Sequence, residues 1–165
     1  MVGLPTETED DISALIKLAQ ECLRLLEKEP GRLILNVNAF IPKAGTAFQW
    51  MPIAPPQVLR QRLSRINREL TRKGVEVRGE GVAWSLVQAA LARGDARLGA
   101  ALARMDGASL SAWRRATEDE GLDMESYWGE QSLEKPLPWD VVHSGISEDS
   151  LRRELEKART VNHEP

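Results

Sequence analysis

Cysteine is almost missing: Cys22 is the only one in 165 residues. That excludes an intramolecular disulfide, a Cys-rich zinc site and a self-contained iron–sulfur cluster. It also fits a reducing compartment, most simply the cytoplasm. Histidine is nearly as scarce, with His143 and His163 alone. A Cys/His catalytic pair would have to be Cys22 with His143, and nothing around either residue supports it. Aromatic residues make up 5 % of the chain, and tryptophan supplies five of them. No apolar run approaches the roughly 18 residues a membrane span needs. No basic segment precedes an apolar one at the N-terminus, so no signal peptide is read. The net charge of −3 implies no general affinity for polyanions.

What is present is helical periodicity interrupted by short β-prone segments. Thr8 is a good N-cap, with Asp10 and Asp11 in the first turn, where the helix dipole favours anions. Ile12, Leu15, Ile16, Ala19, Cys22, Leu23 and Leu26 then recur as one apolar stripe, predicting a helix over 9–28 that stops at Pro30-Gly31. Cys22 on this stripe reads as a buried, inert thiol. Residues 33–41, Leu-Ile-Leu-Asn-Val-Asn-Ala-Phe-Ile, predict a strand. A Pro-rich loop runs from Pro42 to Pro56, and Pro55-Pro56 opens a second helix over 56–73. Leu59, Leu63, Ile66 and Leu70 form its core stripe; Arg60, Arg62, Arg65, Arg68, Arg72 and Lys73 dominate elsewhere. Gly74 ends it, and residues 75–77 suggest a short edge strand. Beyond Gly81 the pattern becomes consecutive helices near 82–93, 95–105 and 109–120, with a last one from Ser147 to about 159. Trp50, Trp84, Trp113, Trp128 and Trp139 read as anchors of this helical part. Residues 160–165 read as a disordered tail.

The opening order is turn, helix, strand. Met1-Val2 supplies barely two residues of strand before Gly3-Leu4-Pro5. A strand there would make a βαβ unit with a parallel pair. The expectation is that the chain begins inside a domain.

Two segments carry a family resemblance. Met1-Val2-Gly3-Leu4-Pro5-Thr6-Glu7-Thr8, with its acidic helix start, resembles the fifth strand and turn of radical S-adenosylmethionine (SAM) enzymes. Residues 36–50, Asn-Val-Asn-Ala-Phe-Ile-Pro-Lys-Ala-Gly-Thr-Ala-Phe-Gln-Trp, resemble their sixth strand and following loop. Residues 92–99 (Ala-Arg-Gly-Asp-Ala-Arg-Leu-Gly), 136–140 (Pro-Leu-Pro-Trp-Asp) and Ser144-Gly145 resemble the C-terminal extension of one branch, whose members often carry a cobalamin-binding-like domain upstream. The resemblance implies an α/β fold. Residues 1–80 would be the distal portion of a partial (β/α)6 barrel, and 81–159 a helical C-terminal subdomain. It also implies SAM and a [4Fe–4S] cluster as cofactors, and cobalamin where the upstream domain is present. In intact relatives the cluster cleaves SAM to a 5′-deoxyadenosyl radical. The Cys-x3-Cys-x2-Cys motif that binds the cluster has no counterpart in this chain. The expectation is therefore a chain inactive alone, whose partner is the N-terminal barrel half, in cis or in trans.

The resemblance assigns Val2 and Gly3 to one wall of the SAM adenine site and Ala39, Phe40 and Ile41 to the other. A flat apolar slot with a few main-chain hydrogen bonds suits a purine. Lys43 and Thr46 fall on the loop facing substrate, where Lys43 would meet an anionic group. No catalytic or metal-ligating residue is assigned. Ordinary packing explains the same residues as a strand-to-helix turn, strand core and a solvated loop lysine. Asp140 and His143 are spaced to pair. The alternative function is a non-catalytic module docking RNA or protein through the arginine-rich helix and the Trp-rich subdomain. The strand at 33–41 is apolar, β-prone and uncharged, so self-association of the isolated chain is expected.

Overall fold

A computed structural model describes residues 1–26, 31–142 and 145–160. The expected helix end near residue 28, Pro30, the Asp140–His143 pair, Ser144 and the tail from 161 lie outside the described residues. The elements run α1 (Glu9–Leu26), β1 (Ile34–Asn36), α2 (Pro56–Thr71), β2 (Glu76–Arg78), α3 (Val82–Ala92), α4 (Ala96–Arg104), α5 (Leu110–Asp119), α6 (Met124–Trp128) and α7 (Glu148–Thr160).

The architecture corrects the expected one. The chain is mostly helical, and its named strands are two, paired in a single parallel sheet. It is not a partial (β/α)6 barrel. A barrel wall needs strands long enough to tilt and to pair on both sides. Here each strand is three residues long, and the register Ile34↔Glu76, Leu35↔Val77, Asn36↔Arg78 exhausts the ladder. The strand expected over 33–41 is shortened to 34–36 because the main-chain ladder with β2 ends there: Val37 N–H donates to Arg78 O at 2.8 Å, and beyond it Glu80 N–H goes to the Asn38 side chain, Oδ1, at 2.9 Å.

By contact the chain forms two compact units. The first comprises residues 1–40 and 54–82, the second residues 41–53 and 83–165. In the first, Thr8 caps α1 reciprocally with Asp11: Thr8 N–H reaches Asp11 Oδ2 at 2.7 Å, and Asp11 N–H reaches Thr8 Oγ1 at 3.3 Å. Ile12, Ile16 and Ala19 are buried, while Cys22 is only half-buried. Helix α1 packs on α2, whose Leu59, Ile66 and Leu70 are fully enclosed. Pro56 at the first helical position starts α2 with its φ already set. Helix α2 links β1 to the parallel β2.

The second unit holds two apolar clusters. Val87, Ala90, Leu98, Trp113 and Tyr127 form one; Trp50, Leu137 and Leu155 form the other. Arg152 lies over the Trp50 ring at 5.4 Å. Asp95, Ser109 and Asp123 cap α4, α5 and α6 with side-chain oxygens. Trp84, at 39 % exposure, stands apart from the other four tryptophans, which are buried or half-buried. Among the described residues no helix is long and apolar enough to cross a membrane.

Candidate functional site

Four of the residues assigned to the SAM site lie together in the first unit. Val2 bridges Ala39 in parallel. Val2 N–H donates to Asn38 O at 2.9 Å, and Phe40 N–H donates to Val2 O at 2.7 Å. Thus Met1-Val2 lies on the side of β1 opposite β2. Val2, Ala39 and Phe40 are all buried. Along β1 alternate residues face alternate neighbours. Residues 33, 35 and 37 face β2, and Ala39 is next in that series. It lies past the end of β2. Ala39 N–H and C=O make no hydrogen bond among the described residues.

Gly3 follows at φ 91°, in the left-handed region that favours glycine. A Cβ there would come within 2.6 Å of Leu59 Cδ2 and 3.0 Å of Ala54 Cβ. Protein packing from α2 therefore demands this glycine, with no ligand needed to explain it. Gly3 N–H donates to Glu7 Oε2 at 2.8 Å. The same carboxylate takes Arg62 Nη1 at 2.7 Å, and Arg62 also reaches Glu7 O and Glu9. The Gly-Leu-Pro-Thr-Glu-Thr turn is thus closed by its own glutamate and locked to α2. The sequence named Glu7 only within the turn motif and Arg62 only within the arginine-rich helix, and did not pair them. The available signal was Glu7 sitting just before the N-cap, four residues after Gly3. The Arg62 hydrogen bond, above all, holds the Glu9 carboxyl below its ordinary range.

Ile41, Lys43 and Thr46 belong to the second unit. Ile41 is buried, and Lys43 and Thr46 are exposed. Thr46 Oγ1 donates to Lys43 O at 2.7 Å, so this hydroxyl closes its own turn. Gly45, at φ 71°, donates its N–H to Gln49 Oε1 at 2.8 Å. Trp139 Nε1 donates to that same oxygen at 2.7 Å. Two donors on one oxygen fix the orientation of the Gln49 amide. Gln49, 3 % exposed, is a buried organiser that no spacing rule flagged.

An iron–sulfur cluster does not fit this set. Cys22 is half-buried on α1, and no group of three or more His, Cys, Asp or Glu residues is placed to hold a metal among the described residues.

With this geometry stated, comparison with known proteins adds one relative. The chain is 34 % identical over 98 residues to an uncharacterized protein of Methanocaldococcus jannaschii. That match spans 59 % of this chain but only 21 % of the relative, so it covers about a fifth of the relative's length. No protein-family model matches the chain. No solved structure matches it.

Proposed function

We propose that this chain is the distal segment of a radical SAM enzyme. In this reading Val2, Gly3, Ala39 and Phe40 form the adenine side of the cofactor site. The cluster ligands would come from a segment outside this sequence. The observation that carries the reading is the main-chain edge of Ala39. A buried residue at the end of a β segment, with an N–H and a C=O that meet no other group among the described residues, offers an adenine one donor and one acceptor. The flanking Val2 and Phe40 are apolar, as a purine requires. The parallel Val2–Ala39 contact also sets side by side the two segments on which the resemblance rests. The match to a fifth of a longer relative agrees with a chain that works as part of something larger. These residues orient and enclose the nucleoside.

The test has two arms. Adenosine titrated into the isotopically labelled chain should shift the Ala39 and Phe40 amides in a saturable way; unmoved amides would remove the adenine role. Reading the coding DNA upstream of codon 1 should reveal an in-frame Cys-x3-Cys-x2-Cys. The extended chain, reconstituted with iron and sulfide, should release 5′-deoxyadenosine from SAM. A stop codon and ribosome site immediately upstream would overturn the proposal.

The RNA-docking alternative draws on Arg60, Arg68, Arg72 and Lys73, which are exposed and meet no acidic group among the described residues. Arg62 and Arg65 are committed to Glu7, Glu9, Glu69 and Ser13. That removes two of the six cations the sequence suggested.

A further inference from the structure

The second unit encloses a cation that no carboxylate among the described residues neutralises. Arg93 follows the end of α3 and is 2 % exposed. Its Nη1 donates to Met51 O at 2.7 Å and Gly129 O at 3.3 Å, and its Nη2 to Tyr127 O at 2.5 Å. All three acceptors are main-chain carbonyls, and Nε has no partner among the described residues. Carbonyl dipoles stabilise a cation but leave its formal charge in place. Burial accordingly holds this guanidinium down at about 10. The unused Nε–H is a charge-assisted donor, of the kind an oxyanion engages strongly.

Arg93 also lines a cavity of about 250 Å³, together with Asp95, Arg97, Gln131, Ser132 and Lys135. Asp95 is the one acid of this lining, and its charge is already committed. It accepts from Arg97 Nε and Nη2 at 3.0 and 2.7 Å and from Tyr127 OH at 3.2 Å. That leaves Arg93 and Lys135 facing the cavity without a counter-charge among the described residues. Ser132 adds a hydroxyl that can donate to an oxyanion, whereas the Gln131 amide already donates to Ser126 O and Gly129 O and the Ser126 hydroxyl to Asp123 O.

We propose that this cavity is a binding site for an oxyanion, the phosphate or carboxylate group of a small ligand, with Arg93 as the buried donor and Lys135 at the rim. The volume lies below the roughly 300–1,000 Å³ of sites that enclose a whole drug-sized molecule. The cavity therefore holds the charged group and a few attached atoms, and the rest of the ligand projects outward. The site stands whether or not the adenine reading does, because none of its residues takes part in that reading.

The experiment follows the Arg93 Nε–H resonance of the full chain while inorganic phosphate, and separately acetate, is added. Sodium chloride at matched ionic strength is the control. A saturable shift with one oxyanion, absent with chloride, is the expected result, and the tighter of the two identifies the ligand group. Lys135→Glu should weaken that binding about tenfold, the effect of reversing a charge beside the anion. Lys17→Glu, on α1 in the first unit, should leave it unchanged. The proposal is overturned if the resonance stays put at about 10 mM of either anion, ten times a 1 mM Kd. It is equally overturned if chloride moves the resonance as far, or if Lys135→Glu binds as well as the parent chain.

Discussion

Gly79 is held more tightly than Gly3. A Cβ at Gly79 would fall 1.9 Å from the carbonyl oxygen of Val37, a main-chain atom with nowhere to go. At Gly3 the nearest obstacle is the tip of Leu59, which can rotate, although φ 91° adds strain of about 1–3 kcal/mol for any other residue. Urea unfolding should therefore rank Gly79→Ala as more destabilising than Gly3→Ala, and both as worse than Gly31→Ala, where a Cβ meets nothing within 4 Å. The Glu7–Arg62 pair belongs to the same scale. Its side chains are 7 % and 13 % exposed, so removing one partner strands the other in a mostly dry place. Glu7→Ala should cost on the order of 3 kcal/mol in the same measurement. Acid should act on three carboxylates. Asp11 is held low chiefly by the Thr8 N–H, Glu9 by Arg62 and Asp95 by Arg97. A carboxyl lowered in the folded state stabilises above its unfolded pKa, about 4, and loses that contribution as pH falls through the folded value. Stability should thus be flat from pH 7 to about 5 and fall below 4. Thr8→Ala, which removes the hydroxyl shared with Asp11, should soften that fall.

Among the elements, β1 has the unbalanced position. The main-chain groups of Leu35 and of the flanking Leu33 and Val37 face β2. The main-chain groups of Ile34 and Asn36 point the other way, and Met1-Val2 reaches only Asn38 and Phe40 on that side. An open edge of this kind recruits another strand. The isolated chain should form dimers or larger species at micromolar concentration in sizing with light scattering. Asn36→Lys, a charge on the exposed edge, should return it toward monomer. A monodisperse parent chain would show that solvent alone satisfies the edge. The helices were the legible elements. Their stripes placed α2 to α5 and α7 within two residues of where they lie, because 3.6-residue periodicity and caps are local properties. Strand length is not local. The β-branched run at 33–41 looked like nine residues of strand, but a ladder is only as long as its shorter partner. Helix α6 was missed because five residues cannot display a stripe, and Asp123 before it was the lone hint.

For the whole molecule the two units rest on different kinds of packing. The first stands on one helix pair and a three-residue ladder; the second on two apolar clusters anchored by Trp113 and Trp50. Hydrogen exchange should protect Val87, Ala90 and Trp113 more strongly than Leu35 and Val37. Equal protection would show the ladder to be as firm as the clusters. The candidate site was legible only in part for a similar reason. Adjacency of Val2 and Ala39 follows from strand–helix–strand order, so sequence could reach it. The roles of Glu7, Gln49 and Arg93 depend on partners 55, 90 and 34–42 residues away. No pattern along the chain encodes those meetings.

The Val2–Ala39 register also sets the phase of anything joined ahead of Met1. In a parallel ladder, residues two apart face the same neighbour. The second residue upstream of Val2 would present its N–H to Asn36 O, and the fourth to Ile34 O. A purification tag is therefore not an inert handle on this protein. A β-prone tag would zip along the open edge and mask its tendency to associate. A tag with proline at those two alternate positions has no N–H to offer and would leave the edge bare. Samples prepared with different leaders should behave as different molecules in solution, with no change to residues 1–165.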